Sequence, residues 1–206
     1  MGREIEIKIP VSYEAYNFIR DVMSGLAFAD GVTVVSGGME RILKSDEYYS
    51  RYKTRAESKA AGEPQVIRIR CESAPGENAA RALRAFFCIK RKSIENGIEL
   101  NREDETFVEN PEVIRDILNL SGYHKFFEKK KDAYSVHCTS TVLNGADFHL
   151  ELEVVNGLKY VEIEVTQEGL PADEVRSSLE KFVAQLGLDA SKRDSRSWME
   201  IIQADL

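Results

Sequence analysis

Charged and branched apolar side chains alternate strictly along Glu4-Ile5-Glu6-Ile7-Lys8. The alternation returns at Val66-Ile67-Arg68-Ile69-Arg70, Phe87 to Lys92, His149 to Val154 and Tyr160 to Val165. A strand sends successive side chains to opposite faces, so each segment predicts a strand with one apolar and one charged face. The charges are also sorted by sign. Glu4/Glu6, Glu151/Glu153 and Glu162/Glu164 are acidic, whereas Arg68/Arg70, Lys90/Lys92 and Lys129/Lys131 are basic. Same-face residues two apart stand roughly 6.6 Å from each other. Like charges so placed repel, which is costly on an ordinary solvated sheet. The cost disappears if the strands curl into a closed antiparallel barrel with cations at one inner wall and a polyanion at the other.

Helical periodicity fills the remaining chain. Ser12 caps an expected helix to about Ser24, with Tyr16, Ile19, Val22 and Met23 on its apolar side. Asn110-Pro111 opens a second, followed by Val113, Ile114, Ile117 and Leu118 and stopped by Gly122. Pro171 and Asp173 open a third, with Val175, Leu179, Phe182, Val183 and Leu186 inward, and a last one holds Trp198, Ile201 and Ile202. Asn156-Gly157 between two alternating runs signals a hairpin whose loop reaches as far as Lys159 in its longer form. Segments 56–65 and 73–85 read as loops, the second with room for a short helix, and Gly37-Gly38 reads as a turn. No composition shift divides the chain, so residues 1–206 are expected to form a single domain.

A net charge of −7 argues against general nucleic-acid binding, so any basic site must be local and concave. No run approaches the roughly 20 apolar residues of a membrane span, and the charged N-terminus lacks a signal-peptide core, which makes the cytoplasm the expected location. Cys71, Cys88 and Cys138 fit neither a metal-ligand spacing nor a disulfide framework and read as inert thiols. His124, His137 and His149 are isolated; only His149 shares a face with acids. Clustered Lys and Arg suit phosphate oxygens, and carboxylates can share such a site only through divalent cations. Oxygen ligands without a Cys or His cluster point to Mg²⁺ or Mn²⁺.

Glu4-Ile5-Glu6-Ile7-Lys8 resembles the N-terminal E-x-E-x-K signature of the CYTH superfamily, the triphosphate tunnel metalloenzymes. Further similar pieces follow in family order: Ser45 to Tyr49, Ile67 to Arg70, Ile89-Lys90, Glu128 to Lys131, Val161 to Glu164 and Ser195-Arg196-Ser197-Trp198. The stretch Leu120–Tyr134 and the Arg196-Ser197-Trp198 ending look most like the class IV adenylyl cyclase branch. The resemblance implies an α+β fold: a closed eight-stranded antiparallel barrel with helices outside and a triphosphate along the lumen. It implies Glu4, Glu6, Glu162 and Glu164 as metal ligands, and Arg68, Arg70, Lys90, Lys129 and Lys131 as the phosphate grip. Lys8 would stand near the reacting phosphoryl group, and Glu153 would assist proton removal. Where the family often has Arg-x-Glu-x-Glu, this chain reads Glu99-Leu100-Asn101-Arg102-Glu103-Asp104-Glu105. One register turns Arg102 inward as a phosphate ligand, with Asp104 and Thr106; the other turns in Glu99, Glu103 and Glu105, favoured by outward Ile98 and Leu100.

The implied activity is metal-dependent hydrolysis of inorganic or organic (nucleoside or thiamine) triphosphate. The alternative is class IV cyclisation of ATP to cyclic AMP and pyrophosphate, and a third reading is a polyphosphate-binding protein without turnover. A small-molecule triphosphate is the expected partner, and a homodimer is a family habit. Lys92 reads as a rim residue and Glu151 as a tunnel-mouth residue. Tyr48, Tyr49 and Trp198 read as packing residues rather than substrate platforms.

Overall fold

The computed structural model describes residues 2–35, 38–63, 65–75, 84–95, 98–141, 143–165 and 172–204. Its strands are β1 (Gly2–Pro10), β2 (Val32–Val34), β3 (Glu40–Ser50), β4 (Val66–Ser73), β5 (Arg84–Glu95), β6 (Ile98–Val108), β7 (His124–Ser140), β8 (Leu143–Val155) and β9 (Leu158–Val165). The helices are α1 (Tyr13–Met23), α2 (Arg55–Ala60), α3 (Pro111–Leu120), α4 (Ala172–Gln185) and α5 (Trp198–Ala204), with a 3-10 turn at Ala190–Lys192. The strand order is β7-β3-β4-β5-β6-β1-β9-β8, and β8 pairs back onto β7. Eight antiparallel strands therefore close a barrel, as expected, and β2 is an extra strand on β7.

The alternation sets which side faces in. Ile5, Ile7 and Ile9 of β1, Leu150 and Leu152 of β8, and Val161 and Ile163 of β9 are buried on the outer surface. There they form one core with Tyr16, Ile19, Val22 and Met23 of α1 and Val175, Leu179, Phe182 and Val183 of α4. Phe148 and Phe182 stack with ring centroids 4.2 Å apart. The charged sides of these strands are thereby turned into the lumen. A smaller core of Val155, Tyr160, Trp198, Ile201 and Ile202 seats α5 across one mouth.

Local signals hold at most ends. Ser12 Oγ accepts from Ala15 N at 3.2 Å, and Asn110 Oδ1 accepts from Glu112 N at 3.1 Å, so both caps act as the sequence predicts. Asn156 (φ 51°) and Gly157 (φ 83°) form a two-residue turn closed by Val155 opposite Leu158, which excludes the longer loop. Segment 56–65 is corrected: it contains most of α2, capped by Thr54 Oγ1, which accepts from Glu57 N at 3.2 Å. In segment 73–85, residues 76–83 lie outside the described residues, as does Gly37 of the expected Gly37-Gly38 turn, and Arg84 and Ala85 begin β5. The apolar stripe of α3 is only partly used, with Leu118 buried and Val113 and Ile117 about half exposed. No helix among the described residues is long and apolar enough to cross a membrane.

Candidate functional site

The register builds two opposed walls. On β1 and β9, Glu6 stands opposite Glu164 and Lys8 opposite Glu162. On β8, Glu151 is the partner of Glu162 and His149 of Glu164. The basic wall runs over β3, β4, β5 and β7, where Asp46 lies between Arg70 and Lys129, and Lys44 between Glu72 and Lys131. The walls enclose a cavity of about 440 Å³. Ten Lys and Arg side chains and six Glu side chains line it among the described residues. Cations outnumber carboxylates along this lining, in a chain of net negative charge.

The basic side chains are held by a second tier of carboxylates. Arg70 donates to both oxygens of Asp46, at 2.7 and 3.0 Å, and the Lys129 ammonium lies 3.2 Å from the same carboxylate. Burial alone would raise the Asp46 pKa, but Arg70, Lys129 and Arg68 hold it well below the usual range. Glu103 pairs with Lys90 at 2.7 Å and Arg68 at 3.2 Å. Burial again opposes ionisation there, yet Lys90 and then Arg68 bring the Glu103 pKa to about 2. Lys131 is the centre of a third group. It contacts Glu151 at 2.6 Å, Glu162 at 3.1 Å, and Glu153.

Glu151, Glu153 and Glu162 bring carboxylate oxygens within 4.8 Å of one another. Burial first, then the Glu162 charge, with Glu151 adding to it and Lys131 opposing, pushes the Glu153 pKa up to about 8. Glu162 is held the other way, well below its usual range, because Lys131, Lys8 and Lys129 outweigh its burial. Trp198 Nε1 donates to Glu162 Oε1 at 2.9 Å, while Lys131 donates to Oε2. His149 bonds Ser135 through Nε2 at 2.8 Å and lies 3.6 Å from Glu164 through Nδ1.

The sequence-predicted residues are thus mostly brought together. Glu6, Lys8, Arg68, Arg70, Lys90, Lys129, Lys131, Glu162 and Glu164 all line the one cavity. The Glu4 side chain lies outside the described residues; its backbone pairs with Asn101. Arg102 is corrected. It is exposed, as is Arg91 opposite it on β5, while Glu103 opposite Lys90 and Glu105 opposite Cys88 face in. The shifted register therefore holds for these two, with the Glu99 side chain outside the described residues. Asn101 stands where the Arg-x-Glu-x-Glu pattern has arginine; it is buried, and its amide has no hydrogen-bond partner among the described residues. Glu153 is 0% exposed, contacts Lys131 and is not among the residues lining the cavity, one layer behind Glu151 and Glu162.

Several site residues escaped the sequence reading. Lys44 lines the cavity and contacts Glu151, which is buried between Lys44 and Lys131 and not a mouth residue. Asp46 is the fully buried anchor of Arg70 and Lys129. Lys92 lines the cavity and donates to Ser195 O at 3.3 Å, and Trp198 both packs on Tyr160 and lines the lumen. Cys88 and Cys138 are buried free thiols, each pushed up to about 12 by burial.

The donor set fits a hard divalent cation. Glu6, Glu162 and Glu164 all line the lumen, but the carboxylates that bring oxygens within 4.8 Å of one another there are Glu151, Glu153 and Glu162, and the Glu153 oxygens have no hydrogen-bond donor among the described residues, only the Lys131 contact.

A closed barrel with this lumen defines a class of architecture, the CYTH-type tunnel fold. The sequence matches no family model and no curated protein. Among solved structures, the PH1819 protein of Pyrococcus horikoshii OT3 is similar with a TM-score of 0.69 and 18% identity, covering 98% of this chain and 99% of its own. A proposed adenylate cyclase of Vibrio parahaemolyticus gives 0.67 at 18% identity, covering 98% of each chain. A proposed adenylyl cyclase of Hippeastrum, described as having a dominant triphosphatase activity, gives 0.61 at 15%, covering 100% of this chain and 96% of its own.

Proposed function

We propose that the chain is a metal-dependent triphosphatase of the CYTH type, acting in the cytoplasm on a small-molecule inorganic or organic triphosphate. One observation carries the reading: Arg68, Arg70, Lys90, Lys129 and Lys131 converge on the same cavity as Glu6, Glu162 and Glu164. A plain anion receptor gains nothing from that acidic wall, because carboxylates repel phosphate unless a cation lies between them. Glu6, Glu162 and Glu164, with Glu4 on the same strand, would hold Mg²⁺ or Mn²⁺, which would polarise phosphoryl oxygens and lower the pKa of an attacking water.

The protein's own residues supply the remainder. Arg68 and Arg70 present planar forks to phosphate oxygens, and Lys90, Lys129 and Lys131 add point charges. Asp46 pairs with Arg70 and Lys129, and Glu103 with Arg68 and Lys90, which keeps those cations aimed, so little reorganisation accompanies the reaction. Lys8 lies on the lumen beside Glu162 and stabilises charge on the reacting phosphoryl group.

Adenylyl cyclisation is the second reading, favoured by the apolar side chains of Val66, Ile94 and Met199 on the cavity, where a nucleoside could rest. The test is phosphate release measured beside cyclic AMP, with tripolyphosphate, ATP and thiamine triphosphate as substrates and Mg²⁺ or Mn²⁺ present. Phosphate without cyclic AMP supports the hydrolase. Cyclic AMP with pyrophosphate replaces it by the cyclase, and binding without either product refutes both.

A further inference from the structure

The segment entering α5 is clasped to the acidic wall at several points. Asp194 N donates to Lys8 O at 2.8 Å, and Lys8 Nζ donates to Arg196 O at 2.6 Å. Tyr160 Oη donates to Asp194 at 3.1 Å, and the Arg196 guanidinium grips Asp194 through two bonds at 2.9 and 2.7 Å. The strap delivers Trp198 to a place where three expected site residues, Glu162, Lys8 and Lys129, meet. Its indole N–H bonds Glu162, and its ring lies under the Lys8 and Lys129 ammonium groups, 5.4 and 5.6 Å from the centroid.

Each contact constrains a different partner. Glu162 is held at one oxygen by Trp198 and at the other by Lys131, which fixes the carboxylate plane. A phosphate-loaded lumen would draw Lys131 toward the anion, leaving the indole as the donor that still orients Glu162. The ring face holds the Lys8 and Lys129 ammonium groups beside Glu162, where their charge favours the ionised carboxylate. An aromatic that merely filled the barrel-to-helix gap would need neither an aimed N–H nor two cations on its face.

The geometry points to Trp198 as a positioning residue, which orients Glu162 toward a divalent cation through its indole N–H and holds Lys8 and Lys129 for phosphate through its ring. The inference rests on the triphosphate reading above and adds the residue that joins its two walls. It makes the C-terminal strap part of the site, since the two Lys8 bonds to Asp194 and Arg196 hold the strap on β1 where Trp198 meets the lumen, and the Tyr160 hydroxyl adds a further bond to Asp194. Loss of an outer partner of a metal ligand typically weakens metal binding by about 10- to 100-fold.

Trp198 is the sole tryptophan of the chain, so its emission reports on this site directly. Mn²⁺ is titrated into the wild-type protein while emission and the free-Mn²⁺ EPR signal are followed together, and tripolyphosphate binding is measured calorimetrically without metal. Wild type should bind both, and its emission should be quenched in step with Mn²⁺ uptake. Trp198→Phe, which keeps a ring but no donor, should bind Mn²⁺ about 10- to 100-fold more weakly. Its metal-free tripolyphosphate affinity should stay within about threefold, because the cation-holding face remains. Tyr160→Phe removes one strap bond while the two Lys8 bonds and the ring packed on Trp198 remain, and should leave Mn²⁺ affinity unchanged.

Equal Mn²⁺ affinity in Trp198→Phe and wild type overturns the positioning role and leaves the triphosphate reading intact. So does an equal loss in Tyr160→Phe, which would make the effect one of strap packing. Mn²⁺ uptake by wild type with unquenched emission overturns the role without recourse to a variant. Wild type binding neither Mn²⁺ nor tripolyphosphate removes the reading and the inference together.

Discussion

Replacing Asp46 by Asn changes one charge, keeps the shape and leaves no cavity. The carboxylate is 0% exposed, accepts two bonds from Arg70 and pairs with Lys129, and its charge also acts on Arg68. The amide would retain one acceptor for Arg70 and turn its N–H₂ toward cations. Removing one member of a buried ion pair typically costs about 3–5 kcal/mol, since the partner charges stay buried and uncompensated. For a chain of this size that is a fall in Tm of about 6–20 °C. Differential scanning calorimetry at pH 7 in low salt reads it. The Asp46 pKa is depressed in the folded state, so its contribution is present above pH 3.8 and fades as pH falls toward the native value. The gap between variant and wild type should therefore persist at pH 5 and narrow below pH 3.8. Tripolyphosphate should recover part of the loss, because its oxygens restore negative charge beside Arg70 and Lys129. A variant melting within about 2 °C of wild type at pH 7 would refute the reasoning, by showing that the basic wall does not lean on Asp46.

Glu6→Gln should lower turnover at least about 100-fold with Tm nearly unchanged, since it removes a proposed metal ligand without a cavity; near-wild-type rates at saturating Mn²⁺ would remove Glu6 from the site. Arg102→Ala should leave KM and kcat unchanged, as expected of an outer-face residue, and a raised KM would restore its inward register. Glu103, with a pKa near 2, contributes about 3 kcal/mol above pH 4.5 that is lost as pH falls toward 2, so acid unfolding of Glu103→Gln should be shallower than that of wild type. Glu153 has the opposite sign: its pKa is raised to about 8, so its contribution is full below pH 4.5 and lost as pH climbs through 8. Thermal scans from pH 6 to 9 should show Glu153→Gln gaining on wild type, and a constant gap would contradict the shift.

The barrel was legible because β1, β4, β5, β8 and β9 carry a two-residue period strong enough to fix face as well as strand. The sorting of charge then implied the lumen, since Glu162 and Glu164 on one surface need something to offset them. β6 resisted because both of its phases carry acids, Glu103 and Glu105 in one and Asp104 in the other. Only the buried outer Leu100 separated them. β3 hid Lys44 and Asp46 because its outer face has no apolar run to mark the alternation: Arg41, Ser45 and Glu47 share it with Leu43 and Tyr49. α2 is a single short helix of Arg, Glu, Ser, Lys and Ala without an apolar stripe, so its Thr54 cap was its only sequence signal. Trp198 shows a different limit. Its packing on Tyr160 follows from composition, but its reach to Glu162 depends on the Asp194–Arg196 clasp, a contact across 188 residues between Arg196 and Lys8.

The most direct test is a crystal structure grown with tripolyphosphate and Mn²⁺, with the metal located by anomalous scattering. Phosphates seated along Arg68, Arg70, Lys90 and Lys129, with Mn²⁺ against Glu6, Glu162 and Glu164, are the predicted result. Phosphates on the outer surface, or manganese held away from those carboxylates, would contradict it.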